Sequence, residues 1–215
     1  VTKARPNGLY TLASHASSGF HSLTYFEGTN FDLILSGNSI NLLNWDDDGN
    51  PEDPTGQGWY DLSYIVNHTN PNEMFVGGVN TWKVTGGTPR ISNFWSAHPS
   101  QNTKNTPVVH ADKHNFYYHP LKPGRLYECN DGGLYCTDNG GTSWVDISTG
   151  LVISQIYKLS VSTQRAADVM TGLQDNGSKN LQSGTWRDVS GGDGMVCIID
   201  PVNPNIKYAS LYNAQ

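Results

Sequence analysis

The segment TDNGGTSW, residues 137–144, sits between two short apolar runs, GLYC before it and VDIS after it. An acidic, glycine-rich centre of this kind is either a place where chemistry happens or a device for turning the chain. Its spacing is that of a turn. A short Asp or Asn side chain accepts N–H groups from its own loop, Gly takes a positive φ, and a following Trp packs between sheets. In the pattern Ser/Thr-x-Asp/Asn-x-Gly-x-Ser/Thr-Trp, the frame residues are Thr137, Asn139, Gly141 and Trp144. A second copy, TYFEGTNF (24–31), keeps the Thr, the Gly and an aromatic but carries Phe26 at the acidic position. A frame that keeps its form without the acid is structural, so the predicted role of TDNGGTSW is a hairpin clasp.

Working outward, the clasp belongs to a longer plan. In GRLYECNDGGLYCTDNGGTSWVDIS (124–148) an apolar strand, a Gly-rich turn, a second strand, another Gly turn and an aromatic follow in order. NEMFVGGVNTWKVTGGTPRIS (72–92) and ADVMTGLQDNGSKNLQSGTWRDVS (167–190) repeat that order, and GFHSLTYFEGTNFDLI (19–34) supplies its later half. First strands begin near Tyr10, Met74, Leu126, Val169 and Lys207. The later spacings match the roughly 40–50 residues of a four-stranded propeller blade. The longer early ones leave room for insertions, of which NWDDDGNPEDPTGQGW (44–59) is the clearest. The expected fold is all-β: a β-propeller of four-stranded antiparallel blades, seen as about four to five blades of a longer protein. Repeats fall at about 9–70, 71–121, 122–166 and 167–204, with a further blade starting at 205–215. Both ends read as mid-domain sequence, so the chain is expected to be part of one propeller in a longer polypeptide.

Composition supports a β-rich chain. Of 215 residues only 15% are charged, while Gly (23), Pro (11), Tyr (11) and Trp (6) supply turns and strand fillers. A net charge of −6 and no Lys/Arg cluster exclude nucleic acid as the expected partner. No run of 18 apolar residues occurs, so no membrane span is expected. Of three cysteines, Cys129 and Cys136 flank NDGGLY and face each other across a hairpin, slightly out of register; a disulfide is left open there. Cys197, in GMVCIID, reads as a buried thiol.

On these residues the sequence resembles the Asp-box (bacterial neuraminidase repeat) β-propeller superfamily, which includes sialidases, xyloglucan-cleaving endoglucanases and sortilin-type receptor ectodomains. GQGWYDL, GGVNTWK, HADKH, NDGGLYCTDNGGTSW, GLQDNGS and GGDGM…IDPVNPN are similar to large secreted bacterial proteins of this class. The resemblance implies a secreted or bacterial cell-surface location and a polysaccharide or surface protein as partner. It implies no cofactor. It is specific for fold rather than activity, because this architecture carries many functions.

Candidate functional residues fall into three groups. If HADKH is a strand, alternation puts His110, Asp112 and His114 on one face, directed toward the propeller axis near the turn carrying Asp131. Two imidazoles and a carboxylate form a ligand set for a transition metal, but a polar network lining the axis is the expected role, and no metal is expected. Asp131, Asp175 and Asp193 recur in NDGG, QDNG and GGDG and are the catalytic candidates, since paired carboxylates perform glycoside hydrolysis. Asp before Gly is also ordinary turn chemistry. Trp59 and Trp82, with Trp45 and Trp95, are platforms for sugar rings or blade packing. The five arginines are scattered, which counts against a sialidase, and no G-x-S-x-G is present. The expectation is an extracellular module for glycan or protein binding, or a spacer, without catalysis; a xyloglucan-type glycoside hydrolase is the alternative.

Overall fold

The computed structural model describes residues 5–96, 105–151 and 154–212. Its elements are all strands, with no α-helix among the described residues. They form five antiparallel sheets laid down in chain order. The first contains β1 (Leu9–Ser14), β2 (Phe20–Glu27) and β3 (Asn30–Ser36). The second contains β4 (Ser63–Val66), β5 (Glu73–Gly77), β6 (Thr81–Thr85) and β7 (Thr88–Asn93). The third contains β8 (Lys113–Tyr118), β9 (Leu126–Asn130), β10 (Gly133–Thr137) and β11 (Val145–Asp146). The fourth contains β12 (Ile156–Val161), β13 (Val169–Leu173), β14 (Gly177–Gln182) and β15 (Thr185–Ser190). The fifth pairs β16 (Gly194–Ile199) with β17 (Lys207–Leu211). Each sheet is a meander of consecutive strands, three of them four-stranded. This is the layout of β-propeller blades, about four to five in number.

One feature of strand order differs from expectation. The strands at Met74, Leu126 and Val169 do not open their sheets; β4, β8 and β12 pair outside them. These preceding strands carry no Gly-turn signature, which is why repeat counting passes over them.

Two compact units divide the chain, Val1–Thr149 and Gly150–Gln215. In the first, alternation along β5 builds two cores from one strand. Met74 and Val76 join Tyr10, Leu23, Trp82 and Val84 in one cluster. Phe75, pointing the other way, joins Phe116, Tyr118 and Leu126 in another, with Trp144 packed against it. The segment between β3 and β4, which includes 44–59, forms no strand, but Leu42 and Leu43 are fully buried in the first cluster. Asn41 ties it down: its amide donates to the carbonyls of Asp53 and Thr55 at 2.7 and 2.8 Å. In the second unit a small core gathers Met170, Cys197 and Ile199. There β13 packs so closely on β16 that a Cβ at Gly172 would collide with the carbonyls of Gly194 and Met195.

Cys129 pairs with Leu134 and Cys136 with Tyr127, leaving the two thiols diagonal to one another; both are free. Cys197 is buried and its thiol contacts the Ser178 hydroxyl. Burial pushes the Cys197 thiol above its usual pKa.

Candidate functional site

The loop joining β10 to β11 closes on itself around two side chains. The Asn139 carboxamide oxygen accepts N–H bonds from Thr142 and Ser143 at 3.1 and 2.9 Å, and the Thr137 hydroxyl at 2.9 Å. The Thr137 oxygen accepts the Gly141 N–H at 3.0 Å. Gly140 and Gly141 both have positive φ, and a Cβ on Gly141 would strike the Ser92 hydroxyl of the neighbouring sheet. The side-chain polar groups of Thr137 and Asn139 are thus spent on the loop itself. Trp144 leaves it to meet the second sheet, edge-on to Phe75 at 6.3 Å, with its indole N–H donating to Ser92 at 3.2 Å. Thr137, Asn139 and Gly141 thus close the loop on itself, and Trp144 carries it onto the second sheet.

The chemically richer cluster lies elsewhere in the first unit, where the turn before β4 meets the start of β8. The N–H groups of Tyr60 and Asp61 both donate to the Gln57 carbonyl, and this tight turn brings three side chains together. Gln57 donates to Asp112 Oδ1 at 2.9 Å. Tyr60 donates to Asp131 Oδ2 at 2.8 Å, and His114 Nε2 lies 2.6 Å from Asp131 Oδ1. The Tyr60 and His114 rings stand edge-to-face at 5.0 Å. Asp112 and Asp131 have carboxylate oxygens within 4.8 Å of one another. Asp61 is fully buried, and neither of its oxygens meets a donor.

Electrostatics follow from this crowding. Burial first, and then the facing Asp112 carboxylate, push the Asp61 carboxyl well above the ordinary Asp range. Asp112 is raised too, chiefly by burial. The compensating cation is Lys113, fully buried, whose ammonium donates to the carbonyls of Val79 and His110 at 2.8 and 2.6 Å. Burial pushes it down to about 8, against the pull of Glu128, Asp112 and Asp61. Glu128 is itself buried and accepts from Thr81 at 2.7 Å and Asn93 at 2.8 Å.

The alternation expected of His110, Asp112 and His114 does not occur. Strand β8 starts only at Lys113, and Asp112 takes a left-handed φ of 64°, which breaks the alternation of an extended strand there. His110 faces its own neighbour, the Ala111 carbonyl, while Lys113 points inward in place of an outward-facing residue. Trp82, expected to face a ligand, is a core residue 5% exposed. Trp59 is 73% exposed and stands 5.5 Å from the Tyr60 ring. Trp45 and Trp95 are also exposed. In the second unit Asp193 accepts the Asp175 N–H at 2.8 Å, so these two carboxyl-bearing turns are coupled there. Sequence reading overlooked Gln57, Tyr60, Asp61 and Glu128. For the first three the available signal was the GQGWYDL segment itself, where polar residues bearing amide, phenol and carboxyl groups crowd a glycine turn.

No family model matches the chain, and no curated protein matches it. Among solved structures it is similar to a GH74 xyloglucanase from Xanthomonas campestris at 14% identity and a TM-score of 0.46, covering 99% of this chain and 34% of that one. A GH74 enzyme from Niastella koreensis matches at 16% identity and a TM-score of 0.42, with coverages of 96% and 32%. YCF48 from Cyanidioschyzon merolae matches at 12% identity and 0.34, with coverages of 95% and 61%. The chain spans about a third of the length of the two GH74 structures. Matches at this level assign no residue a role.

Proposed function

We propose that this chain is a polysaccharide-binding β-propeller module of a secreted or cell-surface protein and that it works without catalysis. The observation that carries the reading is Trp59. A tryptophan 73% exposed begins a row of rings, Trp59–Tyr60–His114, that ends on the carboxylate of Asp131. An apolar ring face beside fixed polar acceptors is the arrangement that holds a sugar ring by stacking and its hydroxyls by hydrogen bonds. The carboxylates favour binding over cleavage. Asp131 is held on both oxygens by Tyr60 and His114, and Asp61 is sealed from any substrate.

The test is a glycan array on the purified protein, followed by titration of the best-bound glycan against wild type and Trp59→Ala. Loss of at least about tenfold in affinity, with unchanged thermal stability, is expected. Absence of any bound glycan, or an unaffected Trp59→Ala variant, would overturn it.

Glycoside hydrolysis is the second reading, favoured by the separation of under 4.8 Å between Asp112 and Asp131 oxygens. Retaining hydrolases place their two carboxyl groups about 5 Å apart. Release of reducing ends from xyloglucan by wild type but not by Asp131→Asn would establish it in place of the first.

A further inference from the structure

We infer that the glycan lies as an extended chain along one end of the second sheet, on a track of three tryptophans, Trp59, Trp45 and Trp95, and is gripped along its length rather than by one terminal sugar. This rests on the polysaccharide reading above and adds to it the form of the ligand and two residues that bear it. The starting point is where the tryptophans of the first unit go. Trp82 is a core residue, and Trp144 is engaged with Phe75 and Ser92. Trp45, Trp59 and Trp95 are left 51%, 73% and 45% exposed. Large apolar rings gathered in water at one place mark a binding surface.

All three lie at the same end of the sheet. β4 starts at Ser63, opposite Gly77 at the end of β5, and β6 starts at Thr81, opposite Asn93 at the end of β7. Trp59 comes just before β4, and Trp95 just after β7. Trp45 is brought to that end by Asn80, in the turn between β5 and β6. The Asn80 amide donates to the carbonyls of Trp45 and Asp46 at 3.3 and 3.1 Å, and its oxygen accepts the Trp95 N–H at 2.9 Å. Asn80 is 1% exposed, so one buried carboxamide fixes the backbones of two exposed tryptophans beside each other. Each of those also follows an anchored segment. Leu43 and Asn44, before Trp45, are buried, and Phe94, before Trp95, is bonded through its backbone to Pro107 and Val109. From β4 to β7 the sheet is three strand spacings of about 4.8 Å wide, so the track is as long as several sugar rings. A glycan whose rings are linked equatorially is extended and offers ring faces along its length, which fixed and separated aromatic platforms match. The exposed Asp46, next to Trp45, supplies an acceptor for hydroxyls.

The purified protein is titrated by calorimetry with β-1,4-linked disaccharides and hexasaccharides of glucose, mannose, xylose and N-acetylglucosamine, and thermal unfolding is followed for every variant. At least one hexasaccharide is expected to bind at least about tenfold more tightly than its disaccharide. Trp45→Ala and Trp95→Ala are each expected to weaken that hexasaccharide by about five- to tenfold at unchanged Tm, and Trp95→Phe, which keeps a ring face, to recover part of the loss. Hexasaccharide binding that falls in Trp59→Ala but is unchanged in Trp45→Ala and Trp95→Ala would overturn the track while leaving Trp59 as the whole platform. Equal affinity for disaccharide and hexasaccharide would overturn it as well. No binding of any hexasaccharide by wild type would overturn the track outright, and a blank glycan array in addition would take the polysaccharide reading with it.

Discussion

Ser92, at the end of β7, and Gly141, in the clasp of the next sheet, are joined directly: the serine hydroxyl donates to the glycine carbonyl at 2.8 Å. The same oxygen receives the Trp144 indole N–H, and Lys83 reaches the Gly140 carbonyl at 3.2 Å. Ser92 is 1% exposed, so both bonds are made away from water. The clasp thus closes one blade and fastens it to the blade before.

Ser92→Ala is therefore expected to destabilise the protein by about 1–3 kcal/mol, because it strands a buried carbonyl and an indole N–H together. Chemical denaturation measures it. A change below about 0.3 kcal/mol would mean that the two blades are held by apolar packing alone.

Within the clasp, the order of effects is informative. Asn139 is exposed whereas Thr137 is buried, so Thr137→Val should cost about 1–3 kcal/mol and Asn139→Ala only about 1. Glycan binding should be the same in both variants as in wild type when measured on the folded fraction. An Asn139→Ala protein that keeps its stability and loses binding would show the loop to be part of a site.

Lys113→Met removes the buried cation and leaves Glu128, Asp112 and Asp61 without it. Loss of about 3–5 kcal/mol is expected, the cost of an uncompensated buried charge. Adding Glu128→Gln to Lys113→Met should recover part of that loss. A double variant no more stable than the single one would argue that lysine and glutamate act independently.

At the other end of the unit, Glu73 gives a pH signature. Burial on its own raises this carboxyl, but the Asn67 amide at 2.9 Å and the Lys83 ammonium at 2.8 Å outweigh it and hold the group below its ordinary value. A depressed native pKa stabilises the fold above the unfolded value near 4.5 and loses that contribution as pH falls through the native one. Stability of wild type should drop on the acid side of about pH 4–5, and Glu73→Gln should drop less steeply. Parallel acid limbs in the two proteins would assign the loss to other carboxylates.

What the sequence disclosed and what it hid divide by range. The turn at Thr137–Gly141 was readable because the bonds inside it span at most a few residues: Thr137, Asn139 and Gly141 satisfy one another, and Gly at positive φ is a local requirement. The hairpins around Asp131 and Asp175 were readable for the same reason. Strands β4, β8 and β12 lack such turns, so their pairing was visible only in three dimensions. The acidic cluster was half legible. Asp112, His114 and Asp131 were marked by their chemistry, whereas Asp61 and Lys113 are separated by dozens of residues and look like ordinary surface charges. Their burial is decided by the packing of the turn at Gln57–Asp61 against the start of β8. Trp82 failed in the opposite way: its ring is large and its strand short, and nothing local says which side of β6 faces the core.

Strand β5 has no solvent face, and its two sides serve different partners. Met74 and Val76 belong to one hydrophobic cluster and Phe75 to the other. Inserting or deleting a single residue there would exchange the two sets, driving an aromatic into a space shaped for Met and Val while the aromatic pocket opposite emptied. Between β3 and β4 no ladder depends on the residue count, whereas β5 can be altered only by substitution. The strand is a reading frame as much as a structural element, and length variation among proteins built on this plan should stop at its borders.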